Sequence, residues 1–306
     1  MARRELPPAA LAVARAVAAG LPGGDVVVGC SGGADSLALA LGAAWAARRA
    51  GVRAEAVVID HGLQVGSAEV TAGVVARLAA AGVSARAQRV EVRPGSDGVE
   101  AAARDARLAA LAEPGFPVLL GHTLDDQAET VLLGLLRGSG TRSLAGMAAV
   151  RGPFHRPLLG LRRTDTEAAC RAWGVDWWTD PMNDDPAFAR VRARRAIAAL
   201  ADGLGRDVAP ALARTARLAH ADADLLDALA ADAAQPTPDG ALRVDDLRDL
   251  PDALRWRVLR SWLGAEAASR HVLAVDALLT DWRGQGPIAV PGGQVRRSDG
   301  RLSLFR

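Results

Sequence analysis

Eleven residues constrain this chain more than any others: Val26-Val27-Val28-Gly29-Cys30-Ser31-Gly32-Gly33-Ala34-Asp35-Ser36. Three consecutive β-branched residues after the turn signal Pro22-Gly23-Gly24-Asp25 read as a short buried strand, and Ser36 to Trp45 as the helix that follows. Strand, glycine turn and helix amino terminus together form an anion site. Free N–H groups converge there, and the helix dipole adds about half a positive charge. Adjacent glycines let the backbone approach an anion closely, and the hydroxyls of Ser31 and Ser36 can donate to its oxygens. Two familiar phosphate loops are excluded by the letters. A Walker A loop needs Gly-Lys-Ser/Thr, and the chain has no lysine; G-x-G-x-x-G starts at neither Gly29 nor Gly32. An ordinary βα turn is the plain alternative.

Ser-Gly-Gly-x-Asp-Ser directly after a hydrophobic strand is more specific than two glycines. It resembles the pyrophosphate loop of the PP-loop ATP-pyrophosphatase superfamily. The resemblance implies ATP bound by Ser31, Gly32, Gly33, Ala34, Asp35 and Ser36, release of pyrophosphate, and adenylation of a substrate oxygen. Asp35 suits a Mg²⁺-binding or ATP-positioning role, because a phosphate cradle tolerates an acid only beside a cation.

The length of 306 residues favours two domains. The absent lysines exclude Schiff-base catalysis and a covalent lysyl-adenylate. Cys30 and Cys170 form no C-x-x-C motif, which points to a reducing cytoplasm and away from a cysteine zinc site or an iron–sulfur cluster. No signal peptide, lipidation motif or membrane span is expected. Charge is unevenly placed. Arginines against acids number 12 and 14 in residues 1–136, 11 and 6 in 137–200, and 14 and 15 in 201–306. The middle segment is therefore the candidate polyanion-facing surface.

Taken in order, residues 8–20 read as a helix and 54–60 as a second strand. Asp60 and His61 stand at that strand's carboxyl end, where a doubly wound sheet binds ligands. A helix over 67–82, a third strand over 85–92 and a helix over 98–113 follow. Glu100, Arg104 and Arg107 share one face of the last, as an ion pair or as part of a nucleotide site. After a strand at 117–121, His122-Thr123-Leu124-Asp125-Asp126-Gln127-Ala128-Glu129-Thr130 opens a helix to about Arg137. Asp125 is expected to cap it, while Asp126 and Glu129 share a face at i, i+3. Three acids and a histidine above the sheet suit a cation: magnesium, an ammonium group, or both.

These motifs, with Leu136-Arg137-Gly138-Ser139-Gly140-Thr141, Arg156-Pro157-Leu158-Leu159, Asp180 to Asp184 and Arg190-x-Arg192-x-Arg194-Arg195, resemble the tRNA(Ile)-lysidine synthetases. The match covers about the first 200 residues in the family's order. One departure is Asp60, where many relatives carry a second histidine. The resemblance implies adenylation of the wobble cytidine of an isoleucine tRNA with a CAU anticodon. Attack by free L-lysine then gives lysidine. It gives Asp35, Asp126 and Arg107 catalytic roles, places Asp60 and His61 at the ATP, and assigns lysine to Asp126 and Glu129. Trp173, Trp177 and Trp178, interleaved with the basic segment, either stack on unpaired bases or pack a helix over 162–173; packing is preferred for at least two. Arg190, Arg192, Arg194 and Arg195 are the expected tRNA-phosphate contacts.

From about residue 202 an alanine-rich helix (208–233), further helices with Ser269 as a cap, and a terminal β region (287–305) resemble the small carboxyl-terminal domain of the short synthetases. The expected fold is α/β: a doubly wound, mainly parallel catalytic domain over 1–201, then a smaller, mainly helical α+β domain over 202–306. A homodimer is compatible with this reading. A tRNA-thiolating relative or a non-catalytic adenine-nucleotide-binding module are the alternatives. The first wants active-site cysteines, and the retained acids speak against the second.

Overall fold

The computed structural model describes residues 6–62, 66–92, 98–138, 140–179 and 185–305. The motif 180–184, together with Leu63, Ser139 and the Glu100 side chain, lies outside the described part. The chain forms two compact units, 1–136 with 146–216, and 137–145 with 217–306.

In the first unit, α1 (Pro8–Ala19) precedes the alternation β1 (Val26–Cys30), α2 (Ala34–Ala50), β2 (Ala54–Asp60), α3 (Ser67–Ala80), β3 (Ala85–Arg89), α4 (Val99–Ala112), β4 (Val118–Leu120) and α5 (Leu124–Leu136). The short α6 (Thr141–Leu144) belongs to the second unit. The first resumes with β5 (Val150–Arg151), β6 (Phe154–His155), α7 (Arg163–Trp173) and α8 (Ala189–Leu204), and α9 (Ala209–Ala233) runs from one unit into the other.

Six strands lie in the order β3-β2-β1-β4-β6-β5, all parallel except β5. The sheet is the expected mainly parallel one. The β5–β6 pair was not legible as strands, because two-residue elements carry no periodicity. The third strand also stops earlier than expected, at Arg89.

Chain order reverses beside β1, which pairs with β2 on one side and β4 on the other. Ligands of such sheets bind outside the carboxyl ends of the strands at this reversal. The placement has a packing cause. β1 and β4 are buried apolar strands, and α2 is buried nearly all round against α1 and α7. Leu37, Leu39 and Leu119 are fully buried in the core. Trp173 and Trp177 pack against it, as preferred for two of the three tryptophans.

The second unit carries β7 (Leu242–Arg243), α10 (Val244–Arg248), α11 (Asp252–Leu263), α12 (Ser269–Thr280), β8 (Ile288–Val290), β9 (Gly293–Ser298) and β10 (Arg301–Phe305). Its antiparallel sheet has the order β7-β10-β9-β8 and packs on the three helices through Leu242, Leu247, Leu259, Leu278 and Leu302. Buried Arg255 is satisfied by Asp276, Asp252 and the Leu250 carbonyl. Ser269 does not cap α12. It is the first helical residue and accepts from Arg260 Nη2 at 2.9 Å, while the Ala268 N–H is taken by His271 Nδ1. Among the described residues, no helix is long and apolar enough to cross a membrane.

Candidate active site

The loop after β1 is held by its own hydroxyls. Ser36 Oγ accepts from the Ser31 N–H at 3.1 Å, donates to the Gly33 carbonyl at 3.0 Å and lies 3.2 Å from Ser31 Oγ. Ser36 is thus committed to shaping the loop, while Ser31 is exposed. Gly32 has φ +88°, and a Cβ there would stand 2.5 Å from Val74 Cγ2, so only glycine fits. Gly121, just past β4, approaches α2 so closely that a Cβ would sit 3.0 Å from the Asp35 carbonyl oxygen. That contact sets the end of β4, and the motif beginning at His122, beside the amino terminus of α2. The first N–H groups of a helix have no acceptor within it, which suits this end of α2 to an anion.

Asp35, in the first turn of α2, accepts from Arg163 Nε at 3.3 Å and from the Thr166 hydroxyl. Burial pushes its carboxyl up, against these two partners, and the nearby Asp126 adds to the rise. Asp126 Oδ2 accepts from the Thr123 N–H at 2.8 Å and the Thr123 hydroxyl at 3.0 Å, so this residue, not Asp125, caps α5. Its Oδ1 accepts from Arg163 Nη2 at 3.1 Å. Asp125 instead ties α5 to α7, accepting from the Arg163 N–H at 2.8 Å and from Arg162. Burial raises the Asp125 carboxyl, but these hydrogen bonds outweigh it and hold its pKa below the usual range.

Glu129 is buried one turn further along α5. Its Oε1 accepts from Arg194 Nε at 2.8 Å, and Arg190 Nη1 lies 3.9 Å from Oε2. Burial pushes this carboxyl up despite Arg194. Arg190 and Arg194 are thus turned toward an acid of the site. Arg192 donates to the carbonyls of Pro186 and Ala187, and Arg192 and Arg195 are exposed. Gln127, on another face, makes two hydrogen bonds with the Met147 backbone.

A basic group adjoins the acids. Burial, then the fields of Arg104 and Arg190, lower the pKa of Arg107. His122 is pushed down to about 4 by burial and by Arg156, Arg190 and Arg107, against the pull of Asp126. Arg107 Nε, Arg156 Nε, His122 Nδ1, His61 Nδ1 and Glu129 Oε2 are buried without a hydrogen-bond partner among the described residues. Unsatisfied buried polar atoms are costly, and several in one place mark a ligand site. Asp60, at the end of β2, accepts from Ser67 and from the Gly62 N–H, which hold its carboxyl low and brace the turn at His61.

Sequence reasoning missed Arg163 and Thr166. Arginine or threonine in the first turns of a helix carries no distinguishing signal, and both lie about 130 positions from the Asp35 they touch. The only hint was their place just after Arg156-Pro157-Leu158-Leu159.

Comparison with known proteins agrees with this arrangement. A PP-loop domain model matches residues 10–201, and a TilS substrate binding domain model matches residues 242–303. A tRNA(Ile)-lysidine synthase of Nocardia farcinica is 52% identical over 304 residues, covering 94% of each chain. One of Leifsonia xyli subsp. xyli is 50% identical over 299 residues, covering 92% of this chain and 90% of the relative. Among solved structures, the U34-tRNA thiolase NcsA from Methanococcus maripaludis, with its 4Fe-4S cluster, aligns with TM-score 0.55 at 16% identity. It covers 70% of this chain and 79% of that one, a likeness of fold alone. A PP-loop sheet with Asp35 and Asp126 at its reversal, followed by the matching substrate domain and joined to near-full-length relatives at half identity, leads to one assignment: the chain belongs to the tRNA(Ile)-lysidine synthase family.

Proposed function

We propose that this chain is an ATP-dependent ligase that joins lysine to the wobble cytidine of an isoleucine tRNA. ATP adenylates the 2-carbonyl oxygen of the base with release of pyrophosphate, and the amine of free lysine then displaces AMP to give lysidine. The observation that carries the reading is the convergence of the loop at α2, the acids Asp35, Asp126 and Glu129, and the buried arginines Arg107 and Arg156, each with Nε unsatisfied among the described residues.

Each group has a task its surroundings suit. The loop and the amino terminus of α2 take the triphosphate of ATP, with Ser31 donating and Asp60 and His61 bordering the nucleotide. Asp126 and Glu129 receive the ammonium groups of lysine; Glu129 Oε2 is a buried acceptor without a hydrogen bond. Arg107, with Nε unpartnered, faces the negative charge that develops on departing AMP. A carboxylate near the amine can take up the proton that lysine must lose. Mg²⁺ usually takes one or two carboxylates plus substrate phosphates, and Asp35, in the first turn of α2, fits as one such carboxylate. When bound, the ion would neutralise pyrophosphate.

The anticodon CAU, free lysine as donor, Mg²⁺, a homodimer and a cytoplasmic setting are parts of this proposal that rest on the family resemblance. So is the division of labour between a catalytic part over 1–201 and a tRNA-binding part over 202–306. Thiolation is disfavoured by the cysteines. Cys30 and Cys170 are buried, and burial pushes the Cys170 thiol up to about 12. Incubation with ATP, labelled lysine and total tRNA tests the reading: label should enter tRNA with one AMP released per lysine. AMP release without label in tRNA would refute it.

A further inference from the structure

Asp35 and Asp126 come from different helices and share one cation. Arg163 donates through Nε to Asp35 and through Nη2 to Asp126, at 3.3 and 3.1 Å. The backbone beneath this clamp is fixed. The Arg163 N–H is held by Asp125, and its carbonyl accepts from the buried Thr166 hydroxyl at 2.7 Å. The Leu124 N–H donates to the Leu161 carbonyl at 2.8 Å. The guanidinium itself stands at the end of a flexible chain, with 27% of the side chain exposed. It can change partners without α7 moving.

We propose that Arg163 sets the order of binding: it occupies Asp126 until nucleotide phosphates draw it away, so the amino acid binds productively only after ATP. The proposal rests on the assignment of Asp126 to lysine made above. A triphosphate on the amino terminus of α2 lies beside Asp35, and so beside the guanidinium that Asp35 holds. Arginine binds phosphate oxygens in pairs and more strongly where the partner carries more charge. While Arg163 remains on Asp126, an incoming ammonium group must compete with a cation already in place. Once Arg163 turns to phosphate, Asp126 Oδ1 loses the cation it held and is open to an ammonium group, one turn from Glu129. Linkage makes the effect mutual: lysine strengthens nucleotide binding by the same factor.

Equilibrium dialysis of radiolabelled lysine, with and without a non-hydrolysable ATP analogue and Mg²⁺, tests this in the full chain. Wild type should bind lysine about ten-fold more tightly with the analogue, which corresponds to about 1.4 kcal/mol of coupling. Arg163→Gln should bind lysine with nearly the same affinity in both conditions, and Arg163→Lys should recover part of the coupling. Thermal melts and analogue binding establish that each variant is folded, and Arg163→Lys alone carries the comparison if Arg163→Gln is not. Coupling absent from wild type, or undiminished in the variants, would overturn the role of Arg163 while leaving the lysine site standing. Wild type that binds no lysine in either condition would overturn both.

Discussion

Arg194 Nε donates to Glu129 Oε1 at 2.8 Å, joining α8 to α5 across 65 positions of chain. Only 2% of the Glu129 side chain is exposed, against 39% of Arg194, so the two ends of the pair are not equivalent. Removing the arginine leaves a buried carboxylate; removing the carboxylate leaves an arginine that reaches water. Arg194→Ala should therefore cost more stability than Glu129→Gln, about 1–3 kcal/mol against less than 1. Urea unfolding of both variants measures it, and the opposite order would show that the pair is not organised by burial.

The chemistry at the loop predicts AMP and pyrophosphate as products. Asp35→Ala should abolish ATP turnover with the thermal melt retained. Thr166→Val, which removes the hydroxyl shared between Asp35 and the Arg163 carbonyl, should slow adenylation about ten-fold with little change in the KM for tRNA. Stoichiometric ADP and phosphate from the purified protein would contradict the product assignment.

Lysine recognition separates the two half-reactions. Asp126→Asn should raise the lysine KM ten-fold or more, as expected for one lost charge-assisted bond of about 1.5–3 kcal/mol. Adenylated tRNA formed without lysine should persist. A parallel loss of both steps would move Asp126 to a metal or nucleotide role.

Among the four arginines of α8, the exposed Arg192 and Arg195 should behave differently from the two that lie against buried Glu129. Arg192→Gln and Arg195→Gln should each weaken tRNA binding and lower the slope of log K against log salt by about one counterion. Arg194→Gln should act on stability instead. Filter binding from low to moderate salt reads the slopes, and unchanged slopes in the exposed variants would remove them from the RNA surface.

His122 supplies a pH signature. Its pKa in the fold is about 4, below the ordinary histidine value near 6.5, so the unfolded chain binds the extra proton between those limits. The stability this histidine contributes is complete above about pH 6.5 and falls steadily as pH drops toward 4. His122→Asn should flatten the loss over that window, measured as urea midpoints against pH. An imidazole titrating near 6.5 in the folded protein, followed by NMR, would show that burial is not controlling it.

The parts that were legible in sequence are local ones. β1, the glycine loop and α2 follow one another within 25 residues, and each announces itself through β-branched residues, a positive-φ glycine or a run of helix formers. The acids of α5 were equally visible, but their jobs were not. Asp125 and Asp126 are both acids of a first helical turn, and the choice of cap between them is made by Thr123 on one side and Arg162 and Arg163 on the other. The four arginines of α8 read as an exposed basic run, because nothing in their spacing reveals a buried glutamate opposite two of them.

Sequence alone determined the strand–loop–helix phosphate cradle, the parallel sheet around it, the family resemblance and the supply of charged groups, because each depends on neighbours in the chain or on an ordered set of motifs. Only the tertiary structure decided which charges meet. Arg163 reaches Asp35 and Asp126, and Arg194 reaches Glu129, because packing of α7 and α8 onto the first unit closes loops of 37 to 128 residues. Burial then turns those meetings into shifted proton affinities. Coulomb attraction and desolvation depend on distance through space and on exclusion of water, neither of which is written in the spacing of residues along the chain.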